Sequence, residues 1–554
     1  MILSVLGWFL GAAPEARGDI LPHAPLIPTA DELSRLARVR ALLASSTREN
    51  PNLVRIRFYG QSITLAHWWQ VVAAELRVAY PDANLDIQNL AISGFQDWAL
   101  DRTVDVDMVP VQPDLVILHA FGNGILLKDV VHVIRTGTTS EVLLQQDYVL
   151  GYEPLDEDTN PATITIDNLL SYRNYVSLPD AANSNGACLA RIHDPWKDYC
   201  RTNNVDPASM LEADGVHPGD DANQLLAELT LAYLLPDGKP PALDPWNCST
   251  VRTANFATEP LWRDGQLICD VVGNVIEISL KSLVPANVEI YIDGVRPSRR
   301  PELYGFDRVS PTQFSLWPAV SQVGSLVPLV VEDWTLTPFN VTLDGQGFNF
   351  RVSGSVTGDD GVGTNKMKFT SRSRRVVIEP GDHWLDRSVY YSGGNPIPHG
   401  YSAHWKALFH GMDRIEASTV PVLSLGGDVF TVALGLSDDV HRLTLSTEPG
   451  SESALRFLRV RSPSGHARVT NAAPPPEIPP PGSLSILSVP GRILITWSAD
   501  PGWKLVSSSS LFPRTYWREY PQVLIHDQTD HKLVSIIDPD TQAYFKLVPV
   551  GTNP

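Results

Sequence analysis

The sequence LVRIRFYGQSIT, at positions 53–64, decides the fold. Its apolar first part, Leu53 to Tyr59, predicts a strand, and the residues from Ala66 to Ala79 predict a helix. Ser62 therefore falls at a strand-to-helix turn, where Gly60 lets the chain turn sharply without a Cβ clash. A serine at such a turn is placed as a nucleophile, because backbone N–H groups beside it can stabilise an oxyanion.

Strands and helices alternate through the region that contains this turn. Near-continuous apolar runs, such as 115–118, are typical of central strands that are buried on both faces. The pattern predicts an α/β three-layer sandwich with a parallel sheet, whose sites lie at the carboxyl ends of the strands. Further strands are predicted at 85–90, 115–120 and 141–145, and further helices at 128–135 and 222–235.

Polar or small residues follow two of these strands, and a carboxylate and an imidazole follow much later. Gly94 comes after the strand 85–90 and Asn123 after the strand 115–120, so both fall at strand ends. Asp214 precedes His217 by three residues, which lets one turn hold both side chains beside the serine. Taken singly, each has a structural explanation, since Ser62 could cap a helix and the glycine and aspartate could form ordinary turns.

The order serine, glycine, asparagine and histidine, with an aspartate three residues before the histidine, resembles the SGNH (GDSL-type) hydrolase family over about residues 50–235. The resemblance implies a flavodoxin-like fold and a serine hydrolase site. It implies these roles: Ser62 as nucleophile, His217 as general base, Asp214 as the group that orients the imidazole, and the backbone N–H groups of Ser62 and Gly94 with the side chain of Asn123 as oxyanion donors.

Two positions depart from the family pattern. Gln61 stands where the family has an aspartate, as it does in some carbohydrate O-acetyl esterases, and no aspartate follows Asn123. The resemblance implies a serine esterase that acts on an acylated carbohydrate or a small ester, with O-acetyl groups on a carbohydrate as the expected substrate. Two alternatives stay open: a non-catalytic carbohydrate-binding or cell-surface protein on this scaffold, and a lipase-like esterase. No cofactor is implied, and no residue cluster has metal-ligand spacing.

The chain becomes β-rich after the α/β domain, which is predicted to span residues 19–240. One or two β-sandwiches are predicted at 246–470, where Asp293 and His441 lie in stretches that resemble a galactose-binding-like jelly roll. The stretch 334–385 is left open as an insertion or as part of a second sandwich. A proline-rich linker at 471–483 precedes a small C-terminal β module, 484–554, which we expect to serve attachment.

Charge and the N-terminus limit the partners and the location. The chain carries 62 acidic against 43 basic residues, a net charge of −19, which argues against nucleic acid as a partner. No apolar run is long enough to predict a membrane span. The apolar start, Met1 to Ala13, with small residues at Ala16 and Gly18, predicts a signal peptide over 1–18 and a secreted or periplasmic bacterial protein. The alternative is that Trp8 and Phe9 pack on the first domain.

Four cysteines allow two disulfides in an exported protein. The pairs Cys188 with Cys200 and Cys248 with Cys269 are one expectation, and other pairings stay open. The alternative is four buried free thiols. The sequence does not indicate an oligomeric state.

Overall fold

The computed structural model describes most of the α/β region and the greater part of the β-rich regions after it. The predicted signal peptide, Asn123, Cys248 and residues 472–483 of the predicted linker lie outside the described residues. The described residues are 20–49, 51–122, 124–151, 153–156, 159–237, 251–256, 262–263, 266–280, 287–312, 315–386, 397–416, 429–447, 455–463, 467–471, 484–489, 492–498, 503–508, 518–519, 526–527, 531–537 and 544–549.

The chain groups into two compact units that do not follow its linear order. One unit combines Met1–Cys248 with Phe306–Leu408, and the other combines Ser249–Gly305 with Phe409–Pro554. The stretch 334–385, whose placement the sequence left open, therefore belongs to the same unit as the α/β region.

A five-stranded parallel sheet forms the centre of the first unit, as predicted. Its strand order is β2-β1-β3-β4-β5, and every described pairing within it is parallel. The predicted strands lie within one residue of their expected bounds, whereas β5 was not predicted because three residues are too few to show periodicity. The strands are β1 (Leu53–Gly60), β2 (Asn84–Asn89), β3 (Leu115–His119), β4 (Glu141–Gln145) and β5 (Cys188–Ala190).

Two hydrophobic cores lie on opposite faces of this sheet. Alternate residues of β3 supply them: Leu115 and Ile117 belong to one core, Val116 and Leu118 to the other. Helices cover both faces, which gives the predicted three layers. They are α1 (Ala30–Ser34), α2 (Ala37–Ala44), α3 (Ser62–Leu65), α4 (Trp68–Ala79), α5 (Asp97–Leu100), α6 (Val104–Met108), α7 (Leu127–Gly137), α8 (Leu169–Tyr172), α9 (Leu178–Ser184), α10 (His193–Asn203) and α11 (Asp220–Leu231), with a π-helical turn at Arg173–Ser177 and a 3₁₀ turn at Pro207–Met210.

The disulfide expectation is wrong. Cys188, Cys200 and Cys269 are free thiols, and all three are buried. Cys188 and Cys200 act as small apolar side chains of one core, where the Cys200 sulfur lies 3.9 Å from the sulfur of Met210. Burial raises the pKa of the Cys200 thiol to about 11 and that of Cys269 to about 12, so neither is a reactive thiolate at neutral pH.

Residues 306–408 add a β-structure to the first unit. An antiparallel sheet pairs Glu332–Phe339 with Ala403–Phe409 on one side and with Asn349–Gly354 on the other. Its core contains Trp334, which is fully buried, so this residue is not the exposed sugar platform that a stacking role would need. The remaining elements are the strands Tyr304–Phe306, Gly358–Thr364, Phe369–Thr370 and Val377–Ile378 and a 3₁₀ turn at Pro380–Asp382.

The second unit begins with a two-sheet β-sandwich around its own core. Asp293 accepts hydrogen bonds from His441 Nδ1 at 2.8 Å and from the Arg442 N–H at 2.7 Å, so the two predicted stretches lie side by side. One sheet contains Trp262–Arg263, Gln266–Val272, Val288–Ile292, Arg414–Ile415, Val440–Thr447 and Arg468–Asn471; the other contains Val251–Asn255, Val275–Leu280, Val429–Leu434 and Leu455–Arg461; 3₁₀ turns lie at Pro297–Arg299 and Pro301–Leu303.

The C-terminal residues form two small antiparallel sheets, as the predicted β module requires. Their shared core contains Ile495, Trp497, Leu505 and Val534. Among the helices that the structure describes, none combines the length and the apolar character needed to cross a membrane. The strands are Ser485–Val489, Arg492–Ser498, His526–Asp527 and His531–Ile537 in one sheet and Trp503–Ser508, Arg518–Glu519 and Tyr544–Pro549 in the other.

Candidate functional site

The strand order brings the predicted site segments to one edge of the sheet. Because β2, β1 and β3 are parallel neighbours, their carboxyl ends place the turns after Asn89, Gly60 and His119 next to each other. Hydrogen bonds join these turns: the Ile92 N–H donates to the Gly60 carbonyl at 3.1 Å, and the Asn89 side chain donates to the Thr64 carbonyl at 2.7 Å. These two bonds hold the serine turn from the side of β2.

Gly60 is required for the serine turn by space as well as by conformation. Its φ is +155°, and a Cβ at this position would lie 1.8 Å from the His119 carbonyl oxygen and 2.5 Å from Thr64 Oγ1. The Thr64 hydroxyl donates to that carbonyl at 3.2 Å. This close approach of β1 to β3 places Ser62 at the first position of α3, where it is partly exposed.

Asp214 and His217 form a hydrogen-bonded pair within one turn, as their spacing predicts. His217 Nδ1 lies 2.5 Å from Asp214 Oδ2, and Asp214 Oδ1 accepts the N–H groups of Val216 at 2.9 Å and of His217 at 3.0 Å. The His217 N–H, the His217 side chain and the Val216 N–H together hold the pKa of Asp214 well below its usual range. With Nδ1 donating to a carboxylate, Nε2 keeps its lone pair and can accept a proton.

Two side chains hold this turn at the same edge of the sheet. Asn223 Oδ1 accepts the N–H of Trp68, the first residue of the helix after the serine turn, at 3.0 Å, and its amide donates to the carbonyl of Pro218 at 2.8 Å. The Tyr148 hydroxyl, which follows β4, donates to the Val216 carbonyl. Among the described hydrogen bonds, none joins the Ser62 hydroxyl to His217.

The predicted oxyanion segments lie beside each other, and one predicted donor is outside the described residues. The Asp97 N–H donates to the Phe121 carbonyl at 3.2 Å, which joins the segment after Gly94 to the segment after β3. Asn123 is not described, but the residues on both sides of it are. Asp97 accepts the N–H of Gly124 at 3.0 Å.

Gly122 must be a glycine for the same segments to meet. Its φ is +142°, and a Cβ there would lie 2.2 Å from a carboxylate oxygen of Asp97. Burial raises the pKa of Asp97, although the N–H groups of Gly124 and Trp98 and the charge of Arg173 oppose this rise. Gly122 and Gly124, the residues on either side of position 123, thus both lie against a buried acid.

A buried network that sequence reasoning missed supports this loop. Arg173 is fully buried and donates to the carbonyls of Ala120 and Gly122, each at 2.8 Å. The same guanidinium pairs with Asp147 at 2.8 Å, and Asp147 also lies 3.0 Å from His119 Nε2. Burial disfavours the Asp147 carboxylate, yet the Arg173 charge and the His119 hydrogen bond hold its pKa well below the usual range. No local pattern marks Arg173, because its partners come from distant parts of the chain.

Asp114 and Trp68 have structural contacts and do not line the candidate site. Asp114 lies at the opposite end of β3, where it accepts Arg38 Nη1 at 2.7 Å. Trp68 is fully buried in the core, and its indole donates to the Ile63 carbonyl at 2.8 Å. Within the described parts of the chain, no group of three His, Cys, Asp or Glu side chains is arranged to hold a metal ion.

Solved structures of esterases are similar to parts of this chain, whereas no protein-family model and no curated protein matches it. One is a two-domain esterase active on acetylated mannans, co-crystallised with mannopentaose. The matched region spans 78% of this chain and 95% of the esterase chain at 14% sequence identity, with a TM-score of 0.29. Axe2, an acetylxylan esterase from Geobacillus stearothermophilus, covers 34% and 96% at 16% identity, with a TM-score of 0.27. The acetyl xylan esterase AlAXEase covers 33% and 100% at 18% identity, with a TM-score of 0.28. At these sequence identities and TM-scores, the similarity does not assign the chemistry of this chain.

Proposed function

We propose that the chain is a serine ester hydrolase in which Ser62 is the nucleophile, His217 the general base and Asp214 the group that orients the imidazole. The observation that carries the proposal is the short Asp214–His217 hydrogen bond, in a turn that Asn223 connects to the helix following the serine. A carboxylate that fixes the Nδ1–H tautomer leaves Nε2 ready to take a proton from a serine.

The reaction would follow two acyl-transfer steps. The Ser62 oxygen attacks the ester carbonyl carbon while His217 Nε2 takes its proton, and the proton then passes to the leaving alcohol as the carbon–oxygen bond breaks. Water attacks the acyl-serine with His217 acting as base again, which releases the acid. The oxyanion of each tetrahedral intermediate would accept hydrogen bonds from the N–H groups of Ser62 and Gly94 and from the Asn123 side chain.

The proposed substrate is an O-acetyl ester on a carbohydrate. The Gly60-Gln61-Ser62 block supports this choice, because it resembles the block of some carbohydrate O-acetyl esterases. We propose in addition that the protein is exported, with residues 1–18 as the signal peptide, and that the β modules help to hold a polymeric substrate. The loss of an oxyanion donor or of the nucleophile should then slow the chemistry without changing how the polymer is bound.

Hydrolysis of p-nitrophenyl acetate by the full chain tests the proposal. Ser62→Ala should abolish the release of p-nitrophenol above the background rate. Ser184→Ala is the matched control, since this serine is exposed on α9 and the described hydrogen bond of its hydroxyl is local, to Asp180 at 3.0 Å. Equal rates for Ser62→Ala and the wild type would overturn the proposal and leave a non-catalytic binding protein.

The acyl group and the polymer need a separate comparison. A series of p-nitrophenyl esters from acetate to palmitate should show the highest kcat/KM at acetate, and acetylated xylan and acetylated mannan should release acetate. A preference for long acyl chains would instead indicate a lipase-like esterase.

A further inference from the structure

Four aromatic side chains form a cluster directly behind the Gly94 segment. Phe95 and Trp98 follow Gly94 in the chain, and Trp317 and Trp384 come from residues 306–408 of the same compact unit. The ring centroids of Trp317 lie 5.5 Å from Phe95, 5.6 Å from Trp98 and 5.4 Å from Trp384. Trp317 is 5% exposed and Trp384 1%, so neither is a platform for a sugar ring.

Trp317 makes one polar contact with this segment. Its indole N–H donates to the Ser93 carbonyl at 2.9 Å. The peptide bond between Ser93 and Gly94 is planar and trans, so the Ser93 carbonyl and the Gly94 N–H point in opposite directions. A bond that holds the carbonyl therefore fixes the direction of the Gly94 N–H, which donates none of the hydrogen bonds that the structure describes.

The position of Gly94 depends on the same indole. Its φ is +74°, a conformation that favours glycine, and a Cβ there would lie 3.4 Å from the Trp317 ring. The peptide is thus confined by the ring on one side and by the hydrogen bond at its carbonyl. Without the bond, the peptide could rotate and turn its N–H away from the serine turn.

Ion pairs hold the segment that carries Trp317 in place. Arg308 pairs with Asp107 at 2.5 Å, and Asp107 also accepts the hydroxyl of Tyr59, the residue before Gly60, at 2.7 Å. Arg102 pairs with Asp382 at 3.4 Å. Trp317 is therefore attached to the α/β region by contacts on both sides of it in the sequence.

We propose that Trp317 is a positioning residue for the reaction: its indole N–H fixes the Ser93–Gly94 peptide so that the Gly94 N–H is directed at the oxyanion. The inference rests on the proposed function above. It assigns residues 306–408 a part in the chemical step, which goes beyond the substrate-holding role proposed for the β modules.

Removing the indole N–H while keeping an aromatic ring tests the proposal. Trp317→Phe should lower kcat for p-nitrophenyl acetate by about 10- to 10²-fold with KM within threefold, because the oxyanion forms only in the transition state. Trp384→Phe is the matched control, since it belongs to the same cluster and no described hydrogen bond joins it to Ser93. It should lower the melting temperature by a similar amount and keep kcat within threefold.

A second replacement separates the hydrogen bond from packing. Benzothienylalanine at position 317 has the shape of tryptophan with sulfur in place of the N–H, so it should lower kcat like Trp317→Phe while the melting temperature stays near that of the wild type. Wild-type kcat with this replacement, or equal losses in Trp317→Phe and Trp384→Phe, would overturn the proposal while the Ser62 assignment stands. A wild-type enzyme as inactive as Ser62→Ala would overturn both.

Discussion

His217 takes its orientation from a single carboxylate. Asp214 binds the imidazole at Nδ1 and the backbone N–H groups of His217 and Val216 with its other oxygen, so one side chain builds the turn and sets the tautomer. The three-residue spacing predicted this pair from the sequence, because a short turn is a local structure. The proposed contact of this pair with Ser62 depends on the whole fold, so the three-residue spacing does not predict it.

Replacing Asp214 by Asn should impair the chemistry more than the fold. The amide oxygen can still accept a backbone N–H, but the NH₂ group cannot accept a hydrogen bond from the Nδ1–H, so the imidazole would favour the wrong tautomer. We expect kcat for p-nitrophenyl acetate to fall by about 10³–10⁴-fold. Steady-state kinetics at pH 7.5 with a thermal melt measures both effects, and a kcat within twofold of the wild type would exclude Asp214 from the site.

At the scale of elements, the strand ends determine what meets at the site. β3 and β4 were predictable because each contains a run of consecutive apolar residues, 115–118 and 142–144, and both strands are buried throughout. The contacts that hold the segment between Ala120 and Gly124 were not predictable. Arg173 and Asp97 bind its carbonyl and N–H groups, and backbone groups carry no sequence signature. A buried arginine that donates to two carbonyls shows only when the chain is folded.

The guanidinium group of Arg173, which donates to two carbonyls, gives a prediction for this loop. Arg173→Lys keeps the charge near Asp147 but cannot reach the carbonyls of Ala120 and Gly122 together, so kcat should fall at least tenfold. Arg135→Lys is the matched control, because this arginine donates to the Ser140 carbonyl, just before β4 and at the other edge of the sheet. Equal kcat values for the two variants would contradict a role of Arg173 in positioning the loop.

The β-structure of residues 306–408 contains a buried histidine that should make stability depend on pH. His383 is 2% exposed and packs on Phe348 and Phe350, and its two ring nitrogens have no hydrogen-bond partner among the residues that the structure describes. Burial, with a smaller contribution from Lys366, lowers its pKa to about 4. Below about pH 6.5 the imidazole binds a proton in the unfolded chain but not in the folded chain. The contribution of the neutral ring to the free energy of unfolding is therefore complete above pH 6.5 and is lost as the pH falls towards 4.

Comparing wild type with His383→Leu isolates this effect. The free energy of unfolding that acidification removes through His383 amounts to about 3 kcal/mol once the pH is below 4. We therefore expect the melting temperature of the wild type to fall further between pH 7 and pH 5 than that of His383→Leu, whose leucine does not titrate. Parallel declines in calorimetry would contradict the assignment.

At the scale of the whole molecule, the order of the domains along the chain does not give their grouping. The sequence predicted a β-rich region after the α/β domain, but residues 306–408 belong to the compact unit of that domain. Composition reports which segments are β-structures, whereas the unit to which a segment belongs depends on contacts such as those of Trp317 and Arg308. These contacts pair residues more than 200 positions apart and leave no periodic pattern.

The C-terminal module has its own core, so its removal should leave the chemistry intact. A chain that ends at residue 483 should keep kcat/KM for p-nitrophenyl acetate within twofold of the full chain. Its rate on an insoluble acetylated polysaccharide should fall, because the module no longer raises the local enzyme concentration. An equal loss on both substrates would contradict an attachment role.

Covalent labelling of Ser62 tests the central assignment most directly. A fluorophosphonate reacts with a serine only when a neighbouring base activates it, so mass spectrometry of the treated full chain should locate one adduct on the peptide that contains Ser62. Ser62→Ala should remove the adduct, and His217→Ala should slow its formation by at least 10²-fold. An adduct on another residue, or labelling of Ser62 at the same rate in His217→Ala, would contradict the account.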